Sequence, residues 1–349
     1  MSLKISDRFI GSSYPPFIIA ELSGNHNQSL DRALELVQSA SDCGAHAIKL
    51  QTYTPDTMTL DISGGSFDIT DPQSLWSGEN LYNLYSKAYT PWEWHKTIFD
   101  FANKLGLICF SSPFDDTAVD FLLELDVPAF KIASFENNHL PLIYKVASSG
   151  KPLIISTGMA SLADLEAAVS TARSAGCQDI VLLKCTSTYP ATPLNSNLLT
   201  LPHMHDLFNC EVGLSDHTLG IGAAVASVAL GACVIEKHFT LRRSDGGVDS
   251  SFSLEPSELS LLVSETLTAW QSLGTIKYGP SEAEQQSLRF RRSIYASTDI
   301  NPGDTFSSSN LKIIRPGDGL SPSLYPDLLG KVSKSFIKAG TPLNFDLLL

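Results

Sequence analysis

Short apolar runs recur along the first three quarters of the chain, and most are followed by a stretch with helical spacing. After a polar N-terminal piece, PPFIIAE has the pattern of a buried strand ending at Glu21. SLDRALELVQSASDCG then places Leu30, Ala33, Leu34, Val37, Ala40 and Ser41 on one helical face, with Gly44 to stop the helix. HAIKLQ is a second strand. The stretch from Thr52 to Tyr89 is irregular and rich in Asp, Gly, Ser and aromatics, as expected of a lid or binding loop. TPWEWHKTIFDFANKLG predicts a helix with Thr90 as N-cap and Pro91 at its first position. The alternation then becomes regular. LICFSS, AFKIAS, PLIIST, DIVLLKCTS, EVGLS and CVIEKHF are strand candidates separated by helical pieces, and SLEPSELSLLVSETLTAWQSLG closes the series.

Eight strand candidates interleaved with helices over roughly 260 residues have the size of a (β/α)8 TIM barrel. A doubly wound open sheet is the competing architecture, but IIAELSGNHN lacks the GxGxxG form that such a sheet usually carries after its first strand. The strand ends favour the barrel. They fall at Glu21, Lys49 and Gln51, Ser111 and Ser112, Lys131 and Ser134, Ser156 and Thr157, Lys184 and Thr186, Ser215 and His217, and Glu236 and His238. Barrel enzymes gather their chemistry from the C-terminal ends of many strands. A polar residue often marks a strand end simply because the chain surfaces there. A lysine flanked by apolar residues, as in AIKLQ and FKIAS, is costly to bury without an anion.

Two polar triplets, Ser215-Asp216-His217 and Glu236-Lys237-His238, end consecutive runs joined by an Ala/Gly/Val-rich return segment, so both histidines emerge at one end of the sheet. One histidine beside an apolar run is most often a hydrogen-bonded core residue; two in equivalent positions point to a pair of metal ligands. Lys49, Lys131 and Lys184, with Ser112, Ser134, Ser156 and Ser215, offer the charges and donors a phosphate needs. Glu21 and Glu236 are candidates for acid–base work. The residues therefore fit a metal-assisted reaction of a small phosphorylated compound. They also fit a Schiff-base aldolase using a strand-end lysine, or a non-catalytic carbohydrate-binding protein.

Beyond Tyr278 the pattern changes. GPSEAEQQSLRFRRS reads as a linker, and SIYAS, LKIIRPG and KVSKSFIKAGTPLN as strand-like pieces of a small, mostly β module. The expected division is a barrel over 1–278, a linker over 279–292 and the module over 293–349. With 24 Lys and Arg against 37 Asp and Glu, the net charge of −13 argues against nucleic acid or an anionic membrane as partner. After Gln286, eight basic residues face five acids, so a tail of +3 follows a body of −16 and suggests docking between the two. Six dispersed cysteines without a CxxC pair, no signal peptide and no bilayer-length apolar run suit a reduced, cytoplasmic protein.

IIAELSGNHNQSLDRALEL, AIKLQTYTPDT, CFSSPFD, FKIASFE, IISTGMA, KCTSTYPA, GLSDHT and VIEKHFTL, in this order, resemble the sialic acid synthase family. RFRRSIYA and IIRPGDGL resemble the antifreeze-like SAF domain those enzymes carry. Within the family, QTYTPDTMTLD, TPWEWHK and KIASFEN look most like the pseudaminic acid synthase branch. The resemblance implies condensation of phosphoenolpyruvate with an open-chain amino-sugar and release of phosphate. For that branch the sugar is 2,4-diacetamido-2,4,6-trideoxy-altrose and the product a nine-carbon pseudaminate; N-acetylneuraminate or legionaminate synthesis is the alternative. It further implies a divalent cation (Mg, Mn or Co) on His217 and His238, and phosphoenolpyruvate on Lys49, Ser112, Lys131, Ser134, Ser156 and Ser215. Glu21 matches an acid near the reacting carbons, and Gln51, Glu136, Tyr189 and Asp249 match sugar-side positions. Arg315 matches an arginine that reaches over the partner's barrel in a domain-swapped homodimer. Ser187 stands where the family usually has Asn, and Lys184 matches no family role.

Overall fold

The computed structural model describes residues 3–72 and 74–349. The chain divides into two compact units, Met1–Gly274 and Thr275–Leu349. In the first, eight parallel strands close into a barrel: β3 (Phe17–Glu21), β4 (Ala47–Thr52), β5 (Ile108–Pro113), β6 (Phe130–Ile132), β7 (Leu153–Ser156), β8 (Ile180–Cys185), β9 (Glu211–Ser215) and β10 (Val234–His238). β10 pairs with β3, so the ring closes between the last strand and the first. The expected barrel is formed, and the open doubly wound sheet is not.

Period-two alternation sorts every strand into an outer and an inner face. Outward residues such as Ile18, Ile48, Phe130, Ile155, Leu182, Val212 and Ile235 pack with helix residues in one large apolar layer. Inward residues at the N-terminal half, including Phe17, Ile19, Ala47, Phe110, Ile154, Leu183 and Val234, form a separate cluster inside the ring. Leu3, Ile5 and Ile10 join that inner cluster. They come from an antiparallel hairpin, β1 (Leu3–Ile5) and β2 (Arg8–Ile10), which plugs the bottom of the barrel and which the polar look of the N-terminus conceals. Because the lower half is filled with apolar side chains, the inward positions near the strand ends are the ones left open to chemistry.

The helices are α1 (Leu30–Asp42), α4 (Trp92–Lys104), α5 (Asp116–Glu124), α6 (Leu140–Ala147), α7 (Leu162–Ser174), α8 (Thr200–Phe208), α9 (Gly222–Val228) and α10 (Pro256–Leu273), with two more, α2 (Pro55–Met58) and α3 (Leu81–Ala88), in the long loop after β4. Ser29, Asp115 and Ser161 cap α1, α5 and α7 through their side chains. In α1 the fully buried face is Ala33, Leu36, Val37 and Ala40, so Leu36 joins the face read from the sequence while Leu30 and Leu34 pack at its edge. The start of α4 differs from expectation. Pro91 is its N-cap, and Thr90 is buried with its hydroxyl 3.1 Å from His26 Nε2. That hydroxyl ties the α4 entrance to the loop after β3 instead of satisfying the helix.

The second unit holds one antiparallel pair, β11 (Ser293–Ala296) with β12 (Leu311–Ile314), and a short helix α11 (Tyr325–Leu328). Its core is Ile294, Ile300, Phe306, Leu311, Leu328, Ile337 and Leu343. The KVSKSFIKAGTPLN run makes isolated bridges, such as Ile337 with Ile300, where a strand was expected. Residues read as linker are wound into a 3-10 helix over Glu282–Phe290, started by a Ser281–Glu284 capping box.

Inside the barrel one glycine is required by space. A Cβ on Gly213 would lie 2.3 Å from the Val234 carbonyl and 2.6 Å from Leu183 Cδ2, so the neighbouring strand must shift to admit any larger residue. Gly213→Ala should lower unfolding stability by about 3 kcal/mol, read as the change in urea midpoint. A loss below about 1 kcal/mol would show that the ring yields more easily than its geometry indicates.

Candidate active site

Above the apolar plug the inward positions turn polar: Glu21 on β3, Lys49 and Gln51 on β4, Ser112 on β5, Lys131 on β6, Ser156 on β7, Cys185 on β8, Ser215 on β9, and Glu236 and His238 on β10. A cavity of about 280 Å3 opens over them. Of the residues singled out in the sequence, Lys49, Gln51, Lys131, Ser134, Glu136, Ser156, Tyr189, Ser215, His217, Glu236, His238 and Asp249 line it. Glu21 and Ser112 lie beneath the floor. Glu21 is in ion-pair contact with Lys49, whose Nζ is also 3.4 Å from Ser112 Oγ. Arg315 belongs to the other unit. Lys184 points away from the barrel interior and donates to the Cys185 carbonyl, which removes it from the phosphate-binding set.

The lysines differ in their compensation. Lys49 sits between two carboxylates, Glu21 and, at 3.7 Å, Glu236 Oε1. Burial alone would lower the Lys49 pKa, but the two acids outweigh it and hold the pKa above the ordinary lysine value. Glu236 is stabilised as the anion: burial opposes this, and Lys131, Lys49 and His217 overcome it. Lys131 donates to Ser156 Oγ at 2.6 Å and to the Ile132 carbonyl at 3.0 Å. Burial pulls its pKa down. Next to it, Gly158 N–H donates to Ser134 Oγ, and a Cβ on Gly158 would fall 2.1 Å from Ser187 Oγ. Ser187 therefore lies against the glycine in the space a bulkier side chain would need.

The histidines of β10 and the β9 loop have ring centroids 5.2 Å apart. His217 Nδ1 is 3.0 Å from the Thr186 carbonyl; a carbonyl can only accept, so the proton sits on Nδ1 and Nε2 is left with its lone pair when the ring is neutral. His238 Nδ1 is buried without a hydrogen-bond partner, with Asp249 Oδ2 at 3.6 Å. Burial, then the charge of His217, keeps His238 neutral well below the usual histidine range. A neutral ring with an orphaned nitrogen, beside a ring with an oriented lone pair, is the donor set a divalent cation takes. Among the described residues no three His, Cys, Asp or Glu side chains converge on one point, so further ligands to such an ion would come from water or substrate.

Three residues that sequence reasoning passed over complete the site. Ser23 lies two positions beyond Glu21 with φ +46°; its N–H donates to Glu21 Oε1 at 3.1 Å and its hydroxyl to Asp249. Cys185 faces inward two residues after Leu183 and lines the cavity. Burial raises its pKa, but His217, Ser134 and Lys131 pull it to about 7. Trp76 comes from the loop after β4, its ring 5.7 Å from Tyr189 and its Nε1 donating to the Val248 carbonyl at 3.0 Å. The period-two pattern could have flagged Cys185. Nothing local flags Trp76.

Residues 36–278 match the NeuB family, and residues 291–349 match the SAF domain. A pseudaminic acid synthase of Campylobacter jejuni serotype O:2 is 45% identical over 328 residues, covering 94% of this chain and 95% of that protein. The pseudaminic acid synthase of Helicobacter pylori is 42% identical over 334 residues, covering 95% and 97%. Among solved structures, the N-acetylneuraminic acid synthetase of Leptospira borgpetersenii superposes with a TM-score of 0.74 at 31% identity, covering 83% of this chain and 96% of that one.

Glu136 gives the site a measurable pH signature. Burial raises its pKa from 4.5 to about 7, against a smaller pull from Lys131, and its Oε2 has no hydrogen-bond partner. The folded state therefore holds a proton that the unfolded chain has released, and stability present at low pH is lost as pH rises through about 7. Relative to Glu136→Gln, the native protein should lose more than about 1 kcal/mol between roughly pH 5 and pH 7 in urea unfolding. A difference that stays flat with pH would remove the shift.

Proposed function

The chain belongs to the NeuB family, and from that premise we propose that it is a phosphoenolpyruvate-dependent synthase acting on 2,4-diacetamido-2,4,6-trideoxy-altrose to give pseudaminate and phosphate. The observation that carries this reading is one cavity floor with two parts: among the described residues, a lysine that is hydrogen-bonded to a serine hydroxyl and has no carboxylate within ion-pair distance, beside two imidazoles, one of which has a buried nitrogen without a hydrogen-bond partner. The first part suits a phosphate and carboxylate, the second an activated carbonyl.

In the proposed reaction Lys131, Ser156 and Ser134 grip phosphoenolpyruvate, with Lys49 and Ser215 beside them and Ser112 beneath. C3 attacks the open-chain aldehyde carbon, forming the new C–C bond, and the aldehyde oxygen takes a proton. A divalent cation (Mg, Mn or Co) held by His217 and His238 would supply Lewis acidity toward that oxygen. Glu136, whose burial raises its pKa to about 7, is placed to donate; Gln51, Tyr189 and Asp249 orient the sugar. Water adds at C2 and gives up one proton toward Glu21; the bond from C2 to the phosphate oxygen then breaks as the remaining hydroxyl proton passes to the departing phosphate, leaving a ketone at C2 and hydrogen phosphate beside Lys131. Of the two water protons, one offsets the proton taken by the aldehyde oxygen and the other leaves with the phosphate. Arg315 completes the sugar side from a partner subunit in a domain-swapped dimer, and the protein works in the cytoplasm. Among the described residues no helix is long and apolar enough to cross a membrane.

Phosphate release from phosphoenolpyruvate should be fast with the trideoxy altrose, slower with N-acetylmannosamine, abolished by chelation and restored by a divalent ion. Preference for N-acetylmannosamine would move the protein to N-acetylneuraminate synthesis, and chelator-resistant turnover would remove the metal. His217→Ala and His238→Ala should each lower kcat at least about a hundredfold with an unchanged circular dichroism spectrum; full activity in either sinks the ligand assignment. Arg315→Ala should raise the KM for sugar more than that for phosphoenolpyruvate, and the reverse pattern would place the arginine elsewhere.

A further inference from the structure

The cavity is chemically divided between the residues that floor it and those that roof it. Its ionisable acids, lysines and histidines all come from strand ends and the loops after β6, β9 and β10: Lys49, Lys131, Glu136, His217, Glu236, His238 and Asp249. Among the described residues, those that the long loop after β4 contributes to the wall are uncharged; Tyr53 and Tyr85 bring hydroxyls, and Met58, Ile69, Trp76, Leu81, Leu84 and Ala88 form a separate apolar majority. The one polar atom of Trp76 is spent on the Val248 carbonyl. Composition does not force this. The same loop carries Asp56, Asp68, Glu79 and Lys87, and these pair within the loop: Asp56 with the Tyr82 hydroxyl, Asp68 with Asn80, and Glu79 with Lys87. Charge is sorted away from the cavity and apolar surface toward it.

Resting on the reaction proposed above, we propose that this roof is the subsite that selects a deoxy sugar, taking the methyl group at C6 against Met58, Ile69 and Trp76. The bond forms at the aldehyde carbon, which the ionic floor must hold, so the opposite end of the six-carbon chain is the end directed to the roof. A hydroxyl at C6 would lose its water there without gaining a donor or acceptor from those side chains. An apolar wall rejects an added hydroxyl only modestly, by roughly ten- to a hundredfold in kcat/KM.

The test compares 6-deoxy and 6-hydroxy forms within matched pairs, one pair in the diacetamido altrose series and one in the N-acetylmannosamine series, by phosphate release. The native protein should favour the deoxy member by roughly ten- to a hundredfold in whichever pair it uses. Ile69→Asn and Met58→Gln, at half-buried positions that leave the core intact, should each bring the two members to within a fewfold. A native ratio near one, or a ratio that neither variant moves, overturns the roof assignment. Deoxy preference kept in the mannosamine pair alone overturns the sugar assignment and leaves the roof standing. No turnover on either pair removes the reaction and the subsite with it.

Discussion

Burying cations inside a closed barrel is the constraint from which the site follows. The lower half of the ring is filled with Phe17, Ile19, Phe110, Ile154 and Leu183, so a lysine above it has almost no water to fall back on. Lys49 meets this condition within the protein, between Glu21 and Glu236. Lys131 does not: among the described residues its Nζ has a hydroxyl and a carbonyl as neighbours and no carboxylate within ion-pair distance. Glu236 acts on it only from beyond that distance, which leaves room for an anionic ligand to complete the pairing. The same logic explains why Lys237, equally buried but facing outward, carries no chemistry: Asp216 Oδ2 at 2.8 Å and the carbonyls of Thr218 and Gly220 satisfy it fully.

That division of labour places catalytic demands on the strands and structural ones on what lies just outside them. The Lys237–Asp216 pair binds β10 to the turn after β9, and the Asp216 carboxylate also accepts from Thr218 N–H, so the segment carrying His217 is fixed from behind. Ser23 does the same for two acids at once, holding Glu21 through its N–H and Asp249 through its hydroxyl from a backbone conformation that L side chains rarely adopt. Strain of order 1–3 kcal/mol at such a position persists only where the surroundings over-determine it. Here two carboxylates do so.

Much of this was legible in the sequence because period-two alternation and burial speak the same language. The eight strands, the paired histidines and the lysines in apolar runs all announce themselves where a local pattern meets an obvious energetic cost. What stayed hidden depends on contacts between distant segments. The hairpin Leu3–Ile10 looks polar because only three of its side chains enter the ring. Thr90 looks like a helix cap until His26, from another loop, claims its hydroxyl. Lys184 looks like its neighbours until strand register turns it outward, one residue before Cys185 turns in.

The roof illustrates why recognition is harder to read than chemistry. A charged floor residue must be paired, and the requirement shows in the types of residue that surround it. An apolar residue in a loop carries no such obligation, so Ile69 and Trp76 could equally have been packing. Their meaning comes from the contrast with Asp56, Asp68 and Glu79, which the same loop turns onto its own polar groups. Strands are held on both sides by neighbours, and a change in their register moves every inward group together. The loop after β4 is tied to the barrel top by few bonds, among them Trp76 to Val248, and can change its wall residues without disturbing Lys49 or Lys131. A fold built this way keeps one reaction on its floor while the sugar it accepts is set by the loop above.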